Sequence, residues 1–191
     1  VYHLHSNMSI TAGIDSVTWF QDYVARAKEC GMKAIGFSEH GNIYDWTNKK
    51  RTVEAAGMKY IFAVEAYLTE TLNEKVRDNY HCVLIAKNEA GKDEICSLIS
   101  NANNKNDGHF YYNPRITFEE LFNTSDNVMV TTACVAGPLY SGTDSAYESF
   151  LDFIIKHKDR CYLEVQHHPH AETQKEYNQK LLQLHYAYGI P

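Results

Sequence analysis

Six short apolar runs, each handing over to a stretch with helical spacing, constrain this chain more than any other feature. The first ends near His3-Leu4-His5. The others are Lys33-Ala34-Ile35-Gly36-Phe37, Tyr60-Ile61-Phe62-Ala63-Val64, His81-Cys82-Val83-Leu84-Ile85-Ala86, Val128-Met129-Val130-Thr131-Thr132 and Cys161-Tyr162-Leu163-Glu164-Val165-Gln166. Between them, Trp19, Phe20, Tyr23, Val24 and Ala27 recur at helical spacing, with Asp15-Ser16 as the expected N-cap and Gly31 at the stop. A second helix is expected from about Tyr44 to Ala56. A third, from about Glu89, places Ile95, Leu98, Ile99 and Ala102 on one face. Thr117-Phe118-Glu119-Glu120 resembles a capping box. Two later helices carry Tyr147, Phe150, Leu151, Ile154 and Ile155, then Tyr177, Leu181, Leu182 and His185. Such alternation implies parallel strands joined by right-handed crossovers. With no glycine-rich phosphate loop in the sequence, a β/α barrel is favoured over a Rossmann sheet, with chemistry where strands hand over to loops.

The 191 residues are enough for one domain with a sizeable core, and no repeat or internal boundary divides them. The chain opens at Val1 and stops after its last helix, where a further strand is expected, so residues 1–191 read as one domain excerpted from a longer chain. No apolar run is long enough to span a membrane. The five cysteines are scattered and none forms a CxxC, which argues against a disulfide framework and for a reducing, cytoplasmic setting. A formal net charge of -6 leaves no bulk electrostatic footprint for nucleic acid.

Ten histidines are many for this length, and their positions carry the chemistry. His3 and His5 flank one residue on an expected strand, so period-two geometry points both imidazoles to one face, a natural clamp for a divalent metal. His40 follows the second strand, Glu65 ends the third, His81 belongs to the fourth and Cys134 follows the fifth. Singly, each has a bland explanation: a polar strand edge for a histidine, a small buried hydrophobe for Cys134, a lysine partner for Glu65. Those explanations do not account for metal-ligating side chains recurring at successive strands. His81 is the exception, since it opens its strand instead of closing it.

These residues resemble the polymerase and histidinol phosphatase (PHP) domain family. The resemblance is carried by His3-Leu4-His5 with Ser9 and Gly13, by Glu39-His40-Gly41-Asn42, Val64-Glu65-Ala66-Tyr67 and His81-Cys82-Val83-Leu84-Ile85-Ala86-Lys87-Asn88-Glu89. It continues through Phe110-Tyr111-Tyr112-Asn113-Pro114-Arg115, Thr132-Ala133-Cys134-Val135-Ala136-Gly137 and Tyr162-Leu163-Glu164-Val165-Gln166. The later stretches are most similar to the branch at the start of bacterial DNA polymerase III alpha subunits. The resemblance implies a distorted (β/α)7 TIM-like barrel, lacking its last strand or strands here, with up to three divalent metals. His3, His5 and Glu65 would hold one, Glu65 would bridge to another held by His81 and Cys134, and His40 would belong to a third. Glu39, where the family usually has Asp, would stand behind these ligands. Zinc suits thiolate and imidazole ligands best, and a carboxylate bridge also admits manganese or iron. The implied role is a metal-binding phosphoesterase-like domain in DNA replication, with 3′-5′ exonuclease or residual phosphatase activity. Its partners would be the rest of a polymerase chain, replication subunits and, through them, a DNA primer-template, with no membrane. A stand-alone histidinol-phosphatase-like enzyme and a metal-free partner-binding module are the alternatives.

The chain departs from the family pattern after the first motif. Ser9-Ile10-Thr11-Ala12-Gly13 lacks the usual ligand, and Asp15 lies nearby but out of register. The family's last Asp-x-His falls on the strand expected after Pro191. His167, His168 and His170 read as loop residues around Pro169. Phe110-Tyr111-Tyr112 with Arg115 reads as a group that pins a long loop, with base stacking as the alternative. Lys49-Lys50-Arg51 reads as a solvated helix face.

Overall fold

The structure is a computed structural model that describes residues 1–9, 15–77 and 79–191. Thr11, Ala12 and Gly13, where the first motif departs from the family, lie outside the described residues. In chain order the elements are α1 (Phe20–Glu29), β1 (Ala34–Phe37), α2 (Trp46–Ala55), β2 (Lys59–Thr69), β3 (Tyr80–Ala86), α3 (Glu89–Ala102) and β4 (Phe110–Tyr111). There follow β5 (Asn113–Thr117), α4 (Phe118–Phe122), β6 (Val128–Thr131), α5 (Pro138–Ser141), α6 (Asp144–Lys156), β7 (Cys161–Tyr162) and α7 (Glu172–Tyr188). The fold is mixed α/β, with the sheet ordered β4-β5-β2-β3-β6-β7 and β1 paired to β2.

One expectation is overturned: the strands are not all parallel. β3 runs antiparallel to both β2 and β6, whereas β1 and β5 lie parallel to β2. The reason lies in the connection after β2. A parallel return needs a crossover of a dozen or more residues, usually helical. The segment between Thr69 and Tyr80 is polar and has no helix among its described residues, so the chain turns back and pairs directly. This reversal also resolves the anomaly of His81. Opening an antiparallel strand, it lies opposite Tyr67, and Val83 lies opposite Glu65. The start of β3 therefore sits beside the later part of β2.

Strand alternation divides the interior. Phe62, Val64, Ala66 and Leu68 of β2 join Cys82 and Leu84 of β3 and Val128 and Val130 of β6 in the main core, against Ile95, Ile99, Phe150, Ile154, Tyr177 and Leu181 from the helices. The alternate residues Ala63, Val83 and Ile85 form a small separate cluster with Ala133. Glu65 and Tyr67 share the phase of Ala63, and His81 shares the phase of Val83, so all three point away from the main core. Residues 1–5 run along β1, fixed by Gly36 N–H to the Val1 carbonyl and Ser38 N–H to the Leu4 carbonyl.

The helices keep most of their expected signals. Thr117 caps α4 in a full capping box with Glu120, and Gly189 closes α7 in the left-handed conformation. The first helix starts later than Asp15-Ser16 suggests: Trp19 is its N-cap, without a side-chain cap. Ser16 instead accepts from the Thr18 N–H and meets the Tyr23 hydroxyl. Lys49 corrects the expectation of a solvated face, because its side chain is 2% exposed and its ammonium lies 2.6 Å from Glu39 Oε1. Arg115 is buried too, donating to the carbonyls of His109, Gly108, Glu74 and Val76. That group therefore pins the loop to the sheet. No helix among the described residues is long and apolar enough to cross a membrane.

Candidate metal centre

Glu65 stands at the middle of the site. It is 1% exposed, on the face of β2 turned away from the main core. Four imidazoles converge on its carboxylate from three segments of chain. His5 Nε2 lies 3.1 Å and His3 Nε2 3.5 Å from Oε2. His40 Nδ1 lies 3.0 Å from the same oxygen, and His81 Nδ1 lies 3.2 Å from Oε1. None of these contacts has hydrogen-bond geometry, so both oxygens of Glu65 and His40 Nδ1 are buried without a hydrogen-bond partner. The rings crowd one another: His5 stacks on His40 at 4.3 Å between centroids, and His40 lies 4.9 Å from His81. Tyr67 packs on both His40 and His81.

Specific local devices bring these side chains together. His40 follows β1 and its backbone bridges to Glu65. The chain then turns at Gly41 with φ 60°, where an added Cβ would lie 2.5 Å from Pro114, so glycine is required twice over. Ser9, fully buried, accepts from the His40 N–H at 2.9 Å and touches His5 Nδ1 at 3.1 Å. Before Cys134, Ala133 adopts φ 50°, a left-handed conformation unusual for a residue with a Cβ. That turn brings Cys134 Sγ within 3.7 Å of His81 Nδ1, and the His81 N–H donates to the Ala136 carbonyl.

The sequence-predicted residues thus meet, with one qualification of role. Glu39 does not touch the cluster's imidazoles. It is buried behind them, accepting from the Ser6 N–H at 2.9 Å, the Ser6 hydroxyl at 2.5 Å and Lys49. Its work is to hold the turn that follows His5. His167, His168 and His170 are exposed and belong to no ligand group among the described residues.

Two residues noted in the sequence, but given no part in the ligand set there, reach the cluster. Asp15, out of register with the family position, has Oδ2 3.4 Å from His40 Nε2. Glu164 meets His3 Nδ1 at 2.5 Å from β7's side of the sheet. An acidic residue in an irregular segment, ten residues past the first motif or far along the chain, gives no spacing signal of its own.

The electrostatics follow from this crowding. Burial pushes the Glu65 carboxyl up, but His3, His5 and His81 outweigh it and hold it well below the usual carboxylate range. Burial pulls His3 down, yet Glu164 and Glu65 raise it to about 10. His81, likewise depressed by burial, is raised to about 9 by Cys134 and Glu65. His40 is lowered to about 4 by burial, with His5 and His81 adding to the effect. Three ligand groups overlap here: His3, His5 and Glu65; His40, Glu65 and His81; His5, Asp15 and His40. Within each, the donor atoms lie within 4.8 Å of one another. Imidazole nitrogens around a shared carboxylate are a donor set that fits a divalent cation.

Comparison with known proteins gives the family. The PHP domain family matches residues 2–168. DNA polymerase III subunit alpha of Aquifex aeolicus is 30% identical over 204 residues, covering 98% of this chain and 17% of the relative. The subunit of the same name from Borreliella burgdorferi is 30% identical over 200 residues, with 99% and 17% covered. The chain therefore spans about a sixth of these curated relatives' length. Among solved structures, one described as a 'putative metal-dependent phosphoesterase' from Bifidobacterium adolescentis matches with TM-score 0.57 at 11% identity. It covers all of this chain and 85% of that one, a likeness of fold. The overlapping histidine groups and the match over residues 2–168 lead to one conclusion: the chain belongs to the PHP domain family.

Proposed function

We propose that residues 1–191 form one metal-binding, phosphoesterase-type domain of a replicative DNA polymerase alpha subunit, arranged as a distorted β/α barrel around Glu65. The observation that carries this proposal is the Glu65 carboxylate, buried with both oxygens unbonded and faced by four imidazoles at 3.0–3.5 Å. A buried polar group without a partner is costly, and a buried charge more so. A divalent cation shared between that carboxylate and the surrounding nitrogens supplies the missing partner.

His3, His5 and Glu65 would hold one ion. Glu65 would bridge to a second held by His81 and Cys134, and His40 with Asp15 would serve a third. Zinc suits this set, with manganese or iron admitted by the carboxylate. When bound, the metals supply an activated water and neutralise the oxygens of a phosphoester. The chain's own residues do the positioning: Glu39 and Ser6 fix the turn after His5, Ser9 links His5 to the His40 backbone, and Tyr67 walls the His40–His81 side. The substrate class is a phosphoester, with a nucleotide at a DNA 3′ end favoured over a small phosphate ester by the polymerase relatives. The rest of the polymerase chain, other replication subunits and the primer-template are the partners of the whole protein. The five free cysteines fit a reducing, cytoplasmic setting.

The test is metal analysis and hydrolysis by the purified chain. With zinc or manganese it should release nucleotides from single-stranded DNA, and Glu65→Gln should abolish both metal retention and release. A metal-loaded chain inert toward both DNA and small phosphate esters would overturn the phosphoesterase assignment.

A further inference from the structure

His3 presents one nitrogen to Glu65, and its opposite nitrogen is committed elsewhere. His3 Nδ1 donates to Glu164 Oε1 at 2.5 Å, while Nε2 faces Glu65 Oε2 at 3.5 Å. Glu164 is itself fixed from several sides. It is 7% exposed, and its N–H donates to the Thr132 hydroxyl at 2.9 Å. Its Oε2 accepts from the Thr131 hydroxyl at 2.5 Å, and its Oε1 also accepts from Gln166 Nε2 at 2.9 Å. β6 and the chain after β7 thus hold this carboxylate in place independently of the ring it grips.

No other imidazole in the cluster is held this way among the described residues. The second nitrogen of His5 meets only the Ser9 hydroxyl, and that of His40 faces the 45% exposed Asp15. A carboxylate on the remote nitrogen of a ligating histidine fixes the ring's orientation and tautomer, leaving the near nitrogen's lone pair for the metal.

We infer that Glu164 is the positioning residue of this centre, locking His3 with Nδ1–H toward itself and Nε2 toward the cation shared with Glu65. The inference rests on the metal-centre proposal above. It also gives the chain after β7 a part in a site otherwise built from residues 3–134.

The experiment compares the whole chain with Glu164→Gln, Thr131→Val and His3→Ala, titrating zinc and recording proton spectra of the metal-free forms. Glu164→Gln keeps the shape but removes the charge, and should weaken zinc binding by about 10- to 100-fold. Thr131→Val, which loosens only the second carboxylate oxygen, should weaken it less and serves if the first variant fails to fold. A downfield imidazole N–H signal, assigned by its loss in His3→Ala, should be present in the wild type and absent in Glu164→Gln. Unchanged zinc affinity in both Glu164→Gln and Thr131→Val, with His3→Ala still weakened, would overturn the role of Glu164 alone. A wild type that shows the signal but binds no zinc would overturn the metal-centre proposal, and the positioning role with it.

Discussion

Glu39 and Glu65 stand at neighbouring points of the same sheet, each 1% exposed, and they are treated in opposite ways. Around Glu39 every need is met: the Ser6 amide and hydroxyl donate to it, and the Lys49 ammonium neutralises it at 2.6 Å. Around Glu65 no donor reaches hydrogen-bond geometry, and imidazoles crowd in where lysines or amides would have satisfied it. The neighbouring imidazoles offset the charge of Glu65, but both its oxygens stay without a hydrogen-bond partner, an arrangement that folding alone seldom builds. Glu39 is therefore part of the frame, and Glu65 is the place where the proposed metal would enter it.

The largest effect should come from breaking the satisfied region. Glu39→Ala strands the Lys49 ammonium in the interior and should cost about 3–5 kcal/mol of stability, measured by denaturant unfolding. Replacing both partners with apolar residues, Glu39→Leu with Lys49→Met, should recover most of that loss. At the open region the pattern should invert. Glu65→Gln should leave a folded chain whose zinc affinity falls by more than the roughly 10- to 100-fold typical of an outer partner, read by titration.

A pH series sharpens the same contrast. His3 and His81, raised from 6.5 to about 10 and about 9, contribute stability to the metal-free chain that is fully present below pH 6.5. That contribution is lost as pH rises through 9 to 10. Metal ligation must expel the same protons, so zinc affinity should tighten over this window, by up to roughly tenfold per pH unit for each proton released. Metal-free thermal melts and zinc titrations at stepped pH should therefore move in opposite directions. The smallest effect belongs to Asp15→Ala. Because this side chain is 45% exposed, stability should stay within about 0.5 kcal/mol of wild type, with loss of the weakest-bound metal as the readout.

How much of this was legible in the sequence depends on the kind of information each part needs. Several elements were readable because local periodicity and residue type announce them: β1, β3 and α3 lie close to their expected bounds, whereas residues 3–5 form no strand and the expected strand over 161–166 shrinks to Cys161–Tyr162. Strand direction was not, because the connection between Thr69 and Tyr80 had to be recognised as too poor in helix to cross over. Lys49 looked like one more charge on a helix surface, since its partner Glu39 is specified only by how α2 packs beside the end of β1. Asp15 and Glu164 reach the site across the fold, and neither sits at a spacing that points to it.

The most direct test is calorimetric titration of zinc into the metal-free wild-type chain and into Glu65→Gln, with proton release followed by repeating the titration in buffers of different ionisation heat. Tight uptake with proton release by the wild type, lost in a folded Glu65→Gln, is the predicted result. Absence of uptake by the wild type, or equal uptake by both chains, would contradict the claim that Glu65 is the open centre of a metal site.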